Sequence, residues 1–204
     1  MSKIHRISEW RRVFVDTSFI IDSVRDLAML SDSDPKFQSV RKSHELLAHF
    51  QKSADLKGQS IRWVTSSIVL SELLKFENKD AVNELQKTFK TPEVEIINFT
   101  EREASFILND MADFIEQKHI GQYIKELQKA LAEKHVFNPK NYIAKDALII
   151  ACAKSKPCDV VLTSDRNSFM PIAKQVKLPI LLSEDIPMDM YNSIDYQNPI
   201  TTDY

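Results

Sequence analysis

Four acidic residues are the part of this sequence best placed to do chemistry: Asp16, Glu72, Asp146 and Asp165. Asp16 closes the apolar run Val13-Phe14-Val15, and Asp165 follows Val160-Val161-Leu162-Thr163 by two residues. Glu72 falls in the first two turns of the helix expected after Ile61–Thr65. Asp146 interrupts an otherwise apolar helical stretch between Ile143 and Leu148. Carboxylates gathered at one place repel one another, and an unpaired buried charge is costly. A divalent cation removes that penalty, and hard oxygen ligands select Mg²⁺ or Mn²⁺ over zinc. Such ions activate water and neutralise charge on a phosphate, so the chemistry expected is phosphodiester hydrolysis. Each residue alone also has a plainer reading. Asp16 suits a helix cap, Glu72 a solvated helix face, Asp146 a cap or a partner of Lys145 or Lys154, and Asp165 a turn.

The elements that must position them alternate along the chain. Short apolar strands are expected at Val13–Val15, Ile61–Thr65, Val94–Phe99, Asp159–Thr163 and Leu178–Leu182. Asp34-Pro35 reads as an N-cap with proline at the first helical position. Val40, Leu46, Leu47 and Phe50 continue that helix to a Lys57-Gly58-Gln59 turn. Ser66 or Ser67 caps the helix carrying Ile68, Leu70, Leu73 and Leu74. Thr100 to Glu103 spells a capping box. A long helical segment runs from Glu101 to about His135, with a break at Gly121, and Asn138-Pro139 punctuates it before a helix over Tyr142–Lys154. This β-α alternation predicts an α/β fold, a mostly parallel sheet of about five strands flanked by helices. In such a sheet the ligand site lies at the carboxyl ends of the strands, which is where Asp16 and Asp165 fall. Residues 1–186 read as a single domain with a helical elaboration around 101–135, and 187–204 as a polar tail.

Composition narrows the partners. The 204 residues are 43% hydrophobic and carry a net charge of −2, enough for a core but no overall attraction for a polyanion. Nucleic acid would need a local basic rim, for which Arg25, Lys75, Lys145 and Arg166 are the candidates, or bound cations. The two glycines, Gly58 and Gly121, sit in no phosphate-cradling pattern, which excludes a P-loop or dinucleotide turn. Cys152 and Cys158 lack zinc spacing, and Cys152 reads as a small buried hydrophobe. Trp10 and Trp63 are expected in the core, Phe106, Phe114 and Tyr123 in a core or dimer stripe, and His119 and His135 on the surface. The longest uncharged apolar run, Ala147–Ala153, is far short of a membrane span, and the N-terminus lacks a signal core. A cytoplasmic protein with no membrane partner is expected.

Four segments, in order, resemble the PIN-domain ribonucleases, which include the toxins of VapBC-type toxin–antitoxin pairs. They are Val13-Phe14-Val15-Asp16-Thr17-Ser18-Phe19-Ile20-Ile21, Thr65-Ser66-Ser67-Ile68-Val69-Leu70-Ser71-Glu72-Leu73, Asp146-Ala147-Leu148-Ile149-Ile150-Ala151-Cys152-Ala153 and Val160-Val161-Leu162-Thr163-Ser164-Asp165. The resemblance implies a three-layer α/β/α sandwich and Mg²⁺- or Mn²⁺-dependent cleavage of single-stranded RNA. It also implies a homodimer and, in toxin members, an antitoxin protein covering the acidic site. It gives Asp16, Glu72, Asp146 and Asp165 catalytic, metal-binding roles, and Thr163 that of a hydroxyl near the metal. Ser168 stands where some members carry a further acid, and the stretch from Glu72 to Asp146 is longer than in small toxins. The rival readings are an inactive PIN-type scaffold, a haloacid-dehalogenase-type phosphatase and a receiver domain. The phosphatase needs a second aspartate where Ser18 stands. The receiver needs an acidic pair where Phe14-Val15 precede Asp16.

Overall fold

Runs of β-branched residues between turn signals form five short strands: β1 (Arg12–Val15), β2 (Arg62–Ser66), β3 (Val94–Ile97), β4 (Val160–Thr163) and β5 (Ile180–Leu182). The computed structural model describes residues 7–57, 61–76, 78–107 and 139–186. The strands pair in the order β3-β2-β1-β4-β5, and every pairing is parallel. The helices are α1 (Thr17–Val24), α2 (Phe37–Lys57), α3 (Ser67–Leu73), α4 (Lys79–Thr88), α5 (Glu101–Phe106), α6 (Pro139–Ser155) and α7 (Phe169–Gln175). All four residues of β4 and the last three of β1 are buried, so both faces of the central strands are covered. The expected α/β architecture, a parallel sheet flanked by helices, is the one observed.

This order matters for function. From β1 the chain steps outward through β2 and β3, then crosses back to place β4 on the other side of β1. The order therefore reverses between β1 and β4, and their carboxyl ends open the crevice where ligands bind in sheets of this kind. Below that edge the core is apolar and close-packed: Val13, Phe14, Val64, Val160, Val161 and Leu162 are fully buried. Trp10 is buried against Phe50 at a ring separation of 6.0 Å, and Phe50 meets the half-buried Trp63 edge-on at 5.2 Å. Cys152 is fully buried, and burial pushes its thiol up to about 12. Among the described residues, no helix is long and apolar enough to cross a membrane.

Several boundaries differ from expectation for local reasons. α2 begins at Phe37, because the Asp34 carboxylate accepts the Lys36 N–H at 2.7 Å and closes a turn first. β3 stops at Ile97, two residues short of Phe99, which instead leads into the Thr100 cap of α5. β5 starts at Ile180, because Leu178 N–H bonds back to the Ala173 carbonyl at 3.1 Å. Lys177, at φ 58°, makes the left-handed turn that allows this closure. α6 extends back to Pro139, whose fixed φ suits a first helical position. Helix α4 was not expected; its run is mostly polar, and it buries Val82 and Leu85. The segment beyond Ile107 to Asn138, with Phe114, His119, Gly121, Tyr123 and His135, lies outside the described residues, as do Gly58 and residues 187–204.

The capping box is present. Thr100 N–H donates to the Glu103 carboxylate at 2.9 Å, and the Thr100 hydroxyl accepts from Arg102 N–H at 3.3 Å. Thr100→Ala should therefore cost about 1 kcal/mol in denaturant unfolding. Because Thr100 is hydrogen-bonded within its own cap, the change should leave any activity of the four acids unchanged, and a loss above about 3 kcal/mol would mean Thr100 does more than cap.

Candidate metal centre

Asp16 stands where β1 ends and α1 begins, and it serves both. Its backbone N–H closes the ladder onto Leu162 O at 3.3 Å, and its Oδ1 caps α1 by accepting Phe19 N–H at 2.8 Å. The Ser18 hydroxyl lies 2.9 Å from each carboxylate oxygen, and the Thr163 hydroxyl donates to Oδ2 at 2.7 Å. Ser18 also accepts Ser164 N–H at 2.8 Å, so hydroxyls stitch the β1 end to the β4 end across the switch point. Ser18 thus sits where a phosphatase would carry its second aspartate, as a hydroxyl committed to Asp16.

Asp165 is fixed by the loop after β4. Its N–H donates to Thr163 Oγ1 at 3.0 Å, and its Oδ1 accepts the N–H groups of Asn167 and Ser168, both at 2.8 Å. The Ser168 hydroxyl donates to its other oxygen. Glu72 comes in on α3, whose Ser66 cap accepts Val69 N–H at 3.3 Å. One Glu72 oxygen accepts the Thr17 hydroxyl at 2.5 Å, and the other faces Lys145 Nζ at 3.5 Å. Asp146 rides on α6. Its Oδ2 is buried and has no hydrogen-bond partner among the described residues. Of the two lysines beside it in sequence, Lys145 pairs with Glu72 at 3.5 Å and Lys154 donates to Val176 O at 3.0 Å.

The electrostatics bind the four into one group. Burial pushes the Asp146 carboxyl up to about 8; the Ser168 hydroxyl pulls it back, while Asp165, Asp16 and Glu72 all raise it further. Burial likewise lifts Asp16 to about 7, against the lowering effect of Phe19 N–H, Thr163 and Ser18, with Asp165 repelling its charge. Three hydrogen-bond donors, Phe19 N–H and the Ser18 and Thr163 hydroxyls, do not offset the loss of water around Asp16.

The fold therefore brings all four acidic residues, with Thr163 and Ser168, to one edge. Hydroxyls take up oxygens of Asp16, Glu72 and Asp165. Among the described residues, no three Asp, Glu, His or Cys side chains share a ready metal-binding centre. Two observations still fit a hard cation: the donors are all oxygen, and the Asp146 Oδ2 is an orphaned buried acceptor. The basic rim is less available than expected. Lys145 is engaged by Glu72, and the Arg166 guanidinium bonds Glu184 at 2.8 and 3.0 Å and Asp185 at 2.8 and 3.0 Å. Arg25 ends α1 and Lys75 lies exposed just past α3.

Two residues escaped the sequence reading, Thr17 as the anchor of Glu72 and Ser18 as the anchor of Asp16. The signal was two hydroxyl residues directly following a strand-ending aspartate. No protein-family model and no curated protein matches the chain. A solved structure, VapBC2 from Rickettsia felis bound to a DNA fragment from their promoter, is 15% identical with a TM-score of 0.45, covering 84% of this chain and 98% of that chain. At that level the likeness transfers neither residues nor activity, and the fold stands on this chain's own parallel ladder.

Proposed function

We propose that this chain is a PIN-type endoribonuclease that hydrolyses phosphodiester bonds in single-stranded RNA with Mg²⁺ or Mn²⁺. The observation that carries the reading is the buried Asp146 Oδ2, without a hydrogen-bond partner among the described residues and set in the repulsive field of Asp16, Glu72 and Asp165 at the switch point of a parallel sheet. Asp16, Glu72, Asp146 and Asp165 would hold the ion. When bound, it supplies charge neutralisation at the phosphate and an activated water. The chain's own work is to keep the acids in place. Ser18 and Thr163 fix the plane of the Asp16 carboxylate, Thr17 holds Glu72, and Ser168 holds Asp165. Such orienting contacts commonly change metal affinity or activity by about 10- to 100-fold. The reading also expects an antitoxin-like protein able to cover the acidic edge, a second copy of the chain, and a cytoplasmic site of action, all three on the strength of the four matching segments.

One observation favours a second reading, an inactive scaffold: Glu72 is already satisfied by Thr17 and Lys145. The test is incubation of the full chain with end-labelled mixed single-stranded RNA, with Mg²⁺, with Mn²⁺ and with chelator. Internal cleavage that requires the metal is the expected result. Intact RNA under every metal condition would overturn the enzyme and leave the scaffold.

A further inference from the structure

Lys145 and Asp146 are consecutive on α6, yet they serve different parts of the acidic edge. Asp146 lies by Ser168 and within the field of three carboxylates, while the Lys145 ammonium reaches Glu72 at 3.5 Å. The pair is half-shielded: the Glu72 side chain is 17% exposed and that of Lys145 32%. With Thr17 on its other oxygen, Glu72 has both a hydroxyl and a cation at hand. A lysine is a compact, strongly hydrated charge on a flexible stem, so it can leave a partly exposed carboxylate at little cost.

We infer that Lys145 is a tethered counter-cation of Glu72, displaced when a divalent ion takes that carboxylate, and that its released ammonium then meets a phosphate of the RNA. The inference rests on the proposed metal-dependent ribonuclease and adds an order of events at its rim. Before metal binds, Lys145 offsets part of the repulsion. Afterwards the chain gains a cation where the polyanion arrives. Its overall charge of −2 supplies no general attraction, and Arg166 is held by two acids.

The two steps have opposite signatures in one variant. Lys145→Met keeps the apolar stem and removes the competing charge. Mn²⁺ binding, followed on the full chain without RNA by electron paramagnetic resonance, should then tighten about two- to five-fold, the size of one lost surface-type ion pair. The KM for RNA at saturating Mn²⁺ should rise by a similar factor, with kcat changed less than about two-fold. Lys145→Arg should restore the RNA KM, and Lys145→Gln stands in for Met should that variant fold poorly by circular dichroism. A lysine that merely props Glu72 in place would give the reverse metal result, weaker Mn²⁺ binding on removal, and that outcome overturns the inference. Tighter Mn²⁺ with an unchanged KM overturns the phosphate contact. A wild type that takes up no Mn²⁺ and cuts no RNA overturns the parent reading and this one with it. A wild type that does both, beside a Lys145→Met protein equal to it, overturns only this one.

Discussion

Asp146→Asn is expected to abolish RNA cleavage while raising the melting temperature of the metal-free protein at alkaline pH. The two effects share one cause. At pH 9 the wild-type Asp146 is charged, buried and repelled by Asp16, Glu72 and Asp165, and among the described residues its Oδ2 has no hydrogen-bond partner. Asparagine keeps the shape and removes the charge, so the folded state loses a repulsion that the unfolded chain never had. A carboxyl displaced from 3.8 to about 8 implies several kcal/mol against the charged form. Even a fraction of that amounts to a rise of roughly 5 °C for a chain of this size. The same change removes a hard oxygen from the ligand set, and a loss of at least about 100-fold in cleavage follows. Asp16→Asn should match it in activity but gain less in stability. The Asp16 carboxylate accepts from Ser18, Thr163 and Phe19, and an amide can satisfy only part of that arrangement. An Asp146→Asn protein that keeps activity within about three-fold of wild type removes Asp146 from the site. One that melts lower at pH 9 shows that its charge is compensated in a way the geometry does not suggest.

Such a pairing of lost activity with gained stability is characteristic of residues held for function. It also marks what a linear reading reaches. Asp16 and Asp165 are legible because each follows an apolar strand, and parallel strands put their carboxyl ends on one edge. Strand order was not needed for that inference, only the direction of β1 and β4. Glu72 and Asp146 are legible as acids on helices facing that edge, but their partners are not. Thr17 and Glu72 are 55 positions apart, and only the β1–β2 pairing brings α1 and α3 together. Arg166 looks like a free cation beside Asp165 because Glu184 and Asp185 sit eighteen and nineteen residues later, past β5, and only the β4–β5 pairing returns them to it. α4 escapes for another reason. Its run is so polar overall that Val82 and Leu85, although on one side of it, read in sequence as part of a solvated stretch. Periodicity recovers elements that are buried on a whole face. It fails where a short element is held mainly by its neighbours.

The second large effect is on pH. The metal-free protein should lose stability as pH rises from about 4 to 8, opposite to the usual behaviour of carboxylates paired in the folded state. Asp16 and Asp146 both have folded pKa values above the ordinary 3.8, at about 7 and about 8, chiefly through burial. Between the unfolded and folded values the folded chain holds more protons than the unfolded chain, so the slope of stability against pH is negative there. The stabilisation is complete below the unfolded pKa and is gone once pH has passed the folded pKa values. Other groups titrate in this range as well, so the clean readout is a difference. The melting curve of wild type minus that of Asp146→Asn should fall by an amount worth about 5–10 °C between pH 5 and pH 9. Saturating Mn²⁺ should flatten that difference at high pH, because cation and proton compete for the same oxygens, and its apparent affinity should strengthen through pH 7 to 8. Differential scanning calorimetry across this range, with and without Mn²⁺, measures both. A difference curve that is flat, or that rises with pH, would mean that Asp146 stays ionised in the folded protein throughout. The four acids would then already have their charge balanced from within the chain, and the case for a cation at this edge would lose its physical basis.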